Sequence, residues 1–167
     1  MADAKLYELR ESKIHNTGVF ATQDIPAGTR VIEYVGEKIS KEEGSRRSDF
    51  SIELLARKRN LGEVYVFELN DQYDIDGSPD YNTAKYVNHS CSPNCESRII
   101  DDRIWIVAIR NITKGDEITY DYSYDLDNFE NYMCLCSSDN CFGYILDSGL
   151  WEAGRKHLAL RKSASSG

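Results

Sequence analysis

The sequence has no apolar run long enough to cross a membrane, and residues 1–5 lack the apolar segment typical of a secretion signal. We therefore expect an intracellular protein with no membrane partner. In a reducing intracellular environment, five cysteines indicate metal binding or reactivity before disulfide bonds. The chain of 167 residues is long enough to bury the hydrophobic core of one globular domain.

Two glycine-rich phosphate-binding motifs are also missing, because neither G-x-G-x-x-G nor G-x-x-x-x-G-K-[ST] occurs in the chain. Their absence disfavours nucleotide-binding folds of the Rossmann and P-loop kinds. Basic residues are outnumbered by acidic residues, 20 to 28, which gives a net charge of −8. This balance argues against direct binding of nucleic acid.

One long stretch, from Gly115 to Gly154, contains no lysine or arginine. It could be a solvated acidic surface, or it could create a field that attracts a cationic partner. Both interpretations stay open on the sequence alone. The stretch contains nine acidic residues: Asp116, Glu117, Asp121, Asp125, Asp127, Glu130, Asp139, Asp147 and Glu152.

Short segments of β-branched and aromatic residues, bounded by turn residues, predict a mainly β protein. The Ser40-Lys-Glu-Glu43 sequence matches a capping box, which predicts a helix from there to about Arg59. A second helix is predicted from Leu150 to Leu160, and a hairpin turn at Asp101-Asp102. Strands are predicted at 18–21, 30–35, 64–69, 97–100, 103–109 and 117–122.

Three cysteines near the C-terminus have the spacing of metal ligands, C-x-C-x4-C, at Cys134, Cys136 and Cys141. A closed tetrahedral site needs one more ligand, and Cys91 in a polar segment bounded by proline is the candidate. Four thiolates would make a structural zinc site that ties the C-terminal region to the Asn88-His89 loop. The alternative is that these cysteines are buried without a metal, and Cys95 is expected to be a small packed hydrophobe.

Tyr120 and Tyr122 are two residues apart in a predicted strand, which places both phenols on one face. Such a pair most often packs in a core or a hairpin. It can instead line a narrow tunnel whose hydroxyls orient an amine. The sequence pattern leaves both possibilities open.

Several ordered motifs together resemble the SET domain of protein lysine methyltransferases, followed by the post-SET zinc motif of that family. They are N-H-S-C-S-P-N at 88–94, G-D-E-I-T-Y-D-Y at 115–122 and C-L-C-x4-C at 134–141. The resemblance also includes G-V-F-A-T-Q-D-I-P-A-G at 18–28 and E-Y-V-G-E at 33–37. It covers residues 5 to 147, approximately.

The resemblance implies a SET-domain fold of small curved β-sheets with a C-terminal pseudoknot, one helical insert and a zinc-binding tail. We predict a SET domain over 5–125, with the insert at about 41–62. The post-SET motif is predicted over 130–147 and a C-terminal helix or tail over 148–167.

The resemblance also implies an S-adenosylmethionine-dependent protein-lysine N-methyltransferase. The expected substrate is a basic histone or histone-like tail, which would receive one or two methyl groups. The expected location is nuclear chromatin if the protein is eukaryotic and the cytoplasm if it is bacterial. The expected catalytic residues are Tyr122, Tyr120 and Tyr34, and the expected cofactor-binding residues are His15, Thr17, Gly18, Tyr65, Asn88, His89 and Leu135. The implied metal is one structural zinc, held by Cys91, Cys134, Cys136 and Cys141.

The chain departs from the family pattern at a few positions. Asn16 replaces the first glycine of a Gly-x-Gly motif, although asparagine tolerates positive φ better than other non-glycine residues do. Tyr81, Lys85 and Gly77 stand where Gly, Arg and Ala are usual. Two alternatives therefore stay open, namely a weakly active or inactive SET-fold binding module and a zinc-stapled β interaction domain without a cofactor.

Overall fold

The structure, a computed structural model, describes residues 5–58, 65–127 and 129–164. The prediction of a mainly β architecture is confirmed. The strands and α-helices in chain order are β1 (Tyr7–Glu11), β2 (Thr17–Ala21), β3 (Arg30–Tyr34), β4 (Glu37–Ser40), α1 (Lys41–Lys58), β5 (Val66–Glu68), β6 (Tyr73–Asp76), β7 (Asn88–His89), β8 (Cys95–Ile100), β9 (Arg103–Ala108), β10 (Glu117–Tyr120) and α2 (Trp151–Ala164). Neither of these two helices is long and apolar enough to cross a membrane.

The described strands form three small sheets, with the orders β1-β2-β10-β7, β3-β9-β8 and β4-β6-β5. The pairing of β10 with β7 is parallel, and it places Thr119 opposite Asn88 and Tyr120 opposite His89. The side chain of Asn94 fixes β10 further. Its amide donates to the carbonyl of Glu117 at 2.8 Å and accepts the N–H of Thr119 at 2.9 Å. Two segments with candidate site residues are thereby held side by side.

The hydrophobic core lies among the β-branched residues of the central strands. Val19 in β2, Ile106 in β9 and Ile118 in β10 are fully buried. Burial of each such side chain stabilises the fold by about 1.5–3 kcal/mol. The β8–β9 hairpin turns at Asp101 and Asp102, whose φ values of 53° and 57° are the left-handed pair that a two-residue turn requires. The predicted hairpin is confirmed.

Helix α1 begins where its capping signal predicts. The hydroxyl of Ser40 accepts the backbone N–H of Glu43 at 3.3 Å. Arg47 then joins the helix to the third sheet, because its guanidinium contacts Glu37 of β4 at 2.7 Å and Asp76 of β6 at 2.5 Å. These contacts fix the helical insert against the third sheet, whose strand β5 lines the cavity described below.

An aromatic cluster holds α2 against the C-terminal segment. Phe129 is fully buried. Its ring centroid lies 6.2 Å from that of Phe142, 5.5 Å from that of Tyr144 and 5.7 Å from that of His157 in α2. Trp151, at the start of α2, stacks on Phe142 at 5.7 Å. The C-terminal segment therefore has a small hydrophobic core of its own.

Some predicted boundaries were wrong. The strand predicted to reach Tyr122 ends at Tyr120, and the helix predicted to end at Leu160 continues to Ala164. The predicted 64–69 strand is shorter, at Val66–Glu68, and residue 64 lies outside the described residues. The predicted end of α1 near Arg59 also falls outside them. Four strands, β1, β4, β6 and β7, were not predicted.

Candidate active site

A cavity of about 630 Å³ opens among three segments of the chain that the fold brings together. Its walls include residues 14–17, 65–68 and 120–124. The predicted site residues that line it are Tyr34, Tyr120, Tyr122, His15, Thr17, Tyr65, Asn88, His89 and Leu135, together with Cys134. Motifs scattered over more than a hundred residues therefore contribute to one site.

Gly18 is the predicted cofactor residue that does not line this cavity. It lies in β2, where a Cβ atom would clash with the Glu117 carboxylate and the side chain of Ser12. That carboxylate accepts the amide of Asn88 at 2.7 Å and the hydroxyl of Ser12 at 2.8 Å. Gly18 thus makes room for the group that orients Asn88. Sequence reasoning did not identify this role of Glu117.

The turn before β2 keeps the conformation that a glycine would allow. Asn16 has φ +36°, in the left-handed region. Its carbonyl accepts the N–H of Ser12 at 2.8 Å, and the hydroxyl of Ser12 accepts the N–H of Ile14 at 2.9 Å. Asparagine therefore replaces glycine here without loss of the turn.

Aromatic rings line much of the cavity as a continuous series, each in contact with the next. The ring centroids of Tyr34 and Phe67 are 5.2 Å apart, those of Phe67 and Tyr120 6.3 Å, and those of Tyr120 and Tyr122 4.9 Å. The series continues through Tyr124 to Tyr132. Such a wall excludes water from one side of the cavity and presents electron-rich ring faces to a cation.

Sequence reasoning missed several cavity-lining residues in this aromatic series. Tyr124 continues the every-second-residue spacing of Tyr120 and Tyr122, so that the pattern itself could have indicated it. Phe67 follows Tyr65 at the same spacing in the predicted strand. Tyr132 stands in no such pattern.

Tyr122 is held by two hydrogen bonds, one from its hydroxyl and one from its backbone N–H. Its hydroxyl donates to the carbonyl of Val87 at 3.0 Å, and its N–H donates to Nδ1 of His89 at 3.2 Å. Burial, aided by neighbouring tyrosines, raises the pKa of Tyr120 well above its usual value. Burial likewise raises the pKa of Tyr34. Both phenols are therefore neutral hydrogen-bonding groups near neutral pH.

Four cysteines converge beside this cavity. The sulfurs of Cys91, Cys134, Cys136 and Cys141 all lie within 4.8 Å of one another, and Cys91 Sγ is 3.7 Å from Cys134 Sγ. Burial raises the pKa of the Cys136 thiol. Hydrogen bonds from Ser138 and from the backbone N–H of Cys91 outweigh that effect and bring the pKa to about 6. The predicted cluster is confirmed as a group that could hold a metal ion.

Cys95 stays outside this cluster. Its side chain is fully buried, and burial raises the pKa of its thiol to about 12. The expectation that it packs as a small hydrophobe is confirmed.

His89 connects the cysteine cluster to Tyr122. Its Nδ1 accepts a hydrogen bond from the backbone of Tyr122, so the proton of the neutral ring is on Nε2. That nitrogen faces Cys91 Sγ at 3.6 Å. Burial lowers the pKa of His89 to about 4, although the negative charge of Asp121 acts in the opposite direction. The ring is therefore neutral near neutral pH. The ring therefore contacts both the cysteine cluster and the segment that carries Tyr122.

Comparison of the sequence with known families decides the assignment. The sequence model of the family described as "SET domain" matches residues 16–123. The chain belongs to the SET domain family. The matched range includes residues 16–17, 65–68 and 120–123 of the cavity walls.

Curated relatives of this SET domain carry related names. "Histone-lysine N-methyltransferase, H3 lysine-4 specific" of Aspergillus oryzae is 36% identical over 140 residues, which cover 80% of this chain and 11% of the relative. "Histone-lysine N-methyltransferase 2D" of Homo sapiens is 36% identical over 138 residues, covering 80% and 2%. "Histone-lysine N-methyltransferase trithorax" of Drosophila virilis is 38% identical over 138 residues, covering 80% and 3%. The chain thus spans a small part of each relative.

Proposed function

We propose that this protein is an S-adenosylmethionine-dependent protein-lysine N-methyltransferase that adds one or two methyl groups to a basic, histone-like tail. The observation that carries the proposal is the aromatic cavity lined by Tyr122, whose hydroxyl is fixed by the Val87 carbonyl, in a chain of the SET domain family. The names of the relatives support the reaction type and the histone substrate.

The cofactor is proposed to lie along the wall formed by the turn before β2, β7 and the post-SET segment. His15 and Thr17, with Tyr65 beside them, would hold its methionine end, and Asn88 and His89 its adenine and amino-acid parts. Asn88 is suited to this role because its amide is already oriented by Glu117 at 2.7 Å and by the carbonyl of Thr17 at 3.2 Å. The exposed side chain of Leu135 would cover the adenine.

The aromatic series is proposed to hold the substrate lysine. A free lysine side chain has a pKa of about 10.4 and is unreactive while protonated. Transfer into a cavity walled by Tyr34, Phe67 and Tyr120 removes water from the amine and disfavours its charged form. The amine would therefore lose its proton to solvent as it enters and would arrive as a nucleophile.

Tyr122 is proposed to orient the neutral amine. S-adenosylmethionine would supply a methyl group on a positively charged sulfur. As the nitrogen–carbon bond forms, the sulfur–carbon bond would break, so that S-adenosylhomocysteine would leave as a neutral thioether and the methylated ammonium product would carry the positive charge. The phenol oxygen of Tyr122 and the nearby carbonyl of Val87 complement the positive charge of the reacting groups. Tyr122 is fixed through its hydroxyl and its backbone, so it can impose near-attack geometry with little loss of entropy.

The number of methyl groups is proposed to depend on Tyr120, whose side chain is 8% exposed and lies 4.9 Å from the ring of Tyr122. A hydroxyl at this position leaves less room for a methylated nitrogen than phenylalanine would. We expect Tyr120→Phe to raise the degree of methylation. Mass spectra showing trimethyllysine from the unaltered protein would refute this assignment.

A basic tail fits the charge at the cavity. Its lining contains two carboxylates, Asp121 and Glu68, against one lysine, Lys85, and Glu68 pairs with Lys41 at 2.9 Å. Asp121 also lies in the stretch from Gly115 to Gly154 that has no lysine or arginine. A histone substrate would place the protein at chromatin.

The cysteine cluster is proposed to hold one structural zinc. A tetrahedral zinc with bonds of about 2.3 Å to sulfur places its sulfurs about 3.8 Å apart. The 3.7 Å between the sulfurs of Cys91 and Cys134 fits that requirement. Four protein ligands would fill the coordination sphere, so the metal would have a structural role. Because Leu135 lies between the ligands Cys134 and Cys136, the metal would also order the part of the cavity wall that Leu135 forms.

An array of histone-tail peptides, incubated with the protein and S-adenosylmethionine and read by mass spectrometry, tests the proposal. We expect mono- and dimethyllysine on basic peptides, formed more than ~100-fold more slowly by the Tyr122→Phe variant. Calorimetry that detects cofactor binding while every peptide stays unmodified would overturn the proposal in favour of a SET-fold binding module. Asn16 supports the active interpretation because its backbone retains the left-handed turn.

A further inference from the structure

The backbone of Gly77 lies directly against the ring of Tyr34. A Cβ atom at position 77 would come closer than 3.0 Å to Cε1, Cζ and the hydroxyl oxygen of Tyr34. The Tyr34 side chain is 5% exposed and lines the cavity. No residue larger than glycine therefore fits at position 77 while Tyr34 keeps its position.

Hydrogen bonds prevent the backbone at Gly77 from moving away. Its N–H donates to the carbonyl of Tyr65 at 2.9 Å, and its own carbonyl accepts the amide of Asn82 at 2.9 Å. Asn82 is fully buried, and its side-chain oxygen also accepts the N–H of Ala84 at 3.2 Å. A methyl group added at position 77 would therefore displace Tyr34 rather than the backbone.

The Tyr34 hydroxyl donates to the same Tyr65 carbonyl, at 2.8 Å. One carbonyl thus fixes both Gly77 and Tyr34. The Tyr34 ring also packs against Phe67, with 5.2 Å between their centroids, and Phe67 packs against Tyr120. Since a protein interior has little free volume and Tyr34 lines the cavity, we expect the ring to yield into the cavity.

We propose that Gly77 is a specificity-determining residue. Because it lacks a Cβ, the Tyr34 ring can lie farther from the centre of the cavity, and the volume available to a methylated lysine is larger. The proposal rests on the proposed function. Gly77 itself touches neither substrate nor cofactor in this account, and acts through the ring of Tyr34.

The test compares Gly77→Ala with the unaltered protein on two peptides, one with an unmodified lysine and one with monomethyllysine. A ring pushed into the cavity excludes the bulkier amine more strongly. We expect kcat/KM for the monomethyl peptide to fall about tenfold or more relative to that for the unmodified peptide. Cofactor affinity measured by calorimetry should stay within about twofold, because the bond of Gly77 to the proposed cofactor residue Tyr65 is made by the Tyr65 backbone carbonyl.

Gly149→Ala is the matched control, because this exposed glycine lies outside the cavity and a Cβ there would meet only the carboxylate of Asp147, at 3.0 Å. Its ratio of the two kcat/KM values should equal that of the unaltered protein. The double variant Gly77→Ala/Tyr34→Phe should recover part of the lost ratio, since it removes one of the atoms that the new methyl group would meet. If Gly77→Ala does not fold, Tyr34→Phe alone should shift the ratio toward the monomethyl peptide, and an unchanged ratio would overturn the proposal.

The outcomes separate this proposal from the proposed function. An unaltered protein that methylates no peptide refutes the methyltransferase assignment. An active protein whose Gly77→Ala variant keeps the original ratio refutes the role of Gly77 alone. A crystal structure of Gly77→Ala tests the proposal independently of activity. A Tyr34 ring displaced toward Phe67 would support the proposal, and a Tyr34 ring in its original position would overturn it.

Discussion

Replacement of Tyr122 by phenylalanine distinguishes the effect of this hydroxyl on the methylation rate from its effect on folding stability. The variant loses one hydrogen bond, from the hydroxyl to the Val87 carbonyl at 3.0 Å. Loss of such a bond costs about 1 kcal/mol of folding free energy. Loss of the group that orients the amine should lower the methylation rate more than ~100-fold, which corresponds to about 2.7 kcal/mol in the transition state. The effect on rate should therefore exceed the effect on stability.

Rates are measured by mass spectrometry of a histone-tail peptide, and stability by thermal unfolding of the same preparations. Tyr73→Phe is the control, because Tyr73 is 40% exposed and is not among the residues that line the cavity. Its rate should match that of the unaltered protein. A Tyr122→Phe variant that retains most of its activity would refute the role assigned to this hydroxyl, as would a loss of activity no larger than the loss of folded protein.

Three further perturbations test other parts of the account. Chelation of the metal, or Cys136→Ala, should remove one zinc per chain in elemental analysis and weaken cofactor binding, because Cys134 and Leu135 line the cavity beside the cluster. Asn16→Gly should preserve cofactor affinity, whereas Asn16→Val should weaken it and lower stability by about 1–3 kcal/mol, because a β-branched residue resists positive φ. Phe129→Ala should lower the free energy of unfolding by about 3–5 kcal/mol in denaturant titrations, because it empties the centre of the aromatic cluster that holds α2.

Each of these predictions has a control. Cys95→Ala should keep its zinc, because Cys95 lies outside the cluster. Phe50→Ala should change stability little, because Phe50 is 61% exposed. A zinc content that is unaffected by Cys136→Ala would contradict the metal assignment. Equal cofactor affinities of the Gly and Val variants at position 16 would contradict the role of the turn.

Local signals in the sequence predicted local structure well. The capping box at Ser40 predicts the start of α1, and Asp101-Asp102 predicts the β8–β9 hairpin, because each depends on a few adjacent residues. The cysteine cluster was also predictable, since ligand spacing and a polar segment around Cys91 are both visible in the chain. In each case the pattern carries its own physical reason.

Structure that depends on long-range pairing was not predictable from local patterns. β7 has only two residues, Asn88 and His89, and it exists because β10 pairs with it in parallel. Nothing in its own composition specifies a strand. Gly18 illustrates the same limit: its glycine requirement comes from Glu117, which is distant in sequence and close in space. The resemblance to a family placed these residues at the site, but not their contacts.

The central claim is that a lysine side chain enters the aromatic cavity and receives a methyl group there. The most direct measurement uses S-adenosylmethionine with a deuterated methyl group, core histones as substrates, and tandem mass spectrometry of the products. The account predicts deuterated mono- and dimethyllysine in a basic histone tail, formed more than ~100-fold more slowly by Tyr122→Phe. Cofactor that binds while no lysine of any histone acquires deuterium would contradict the account.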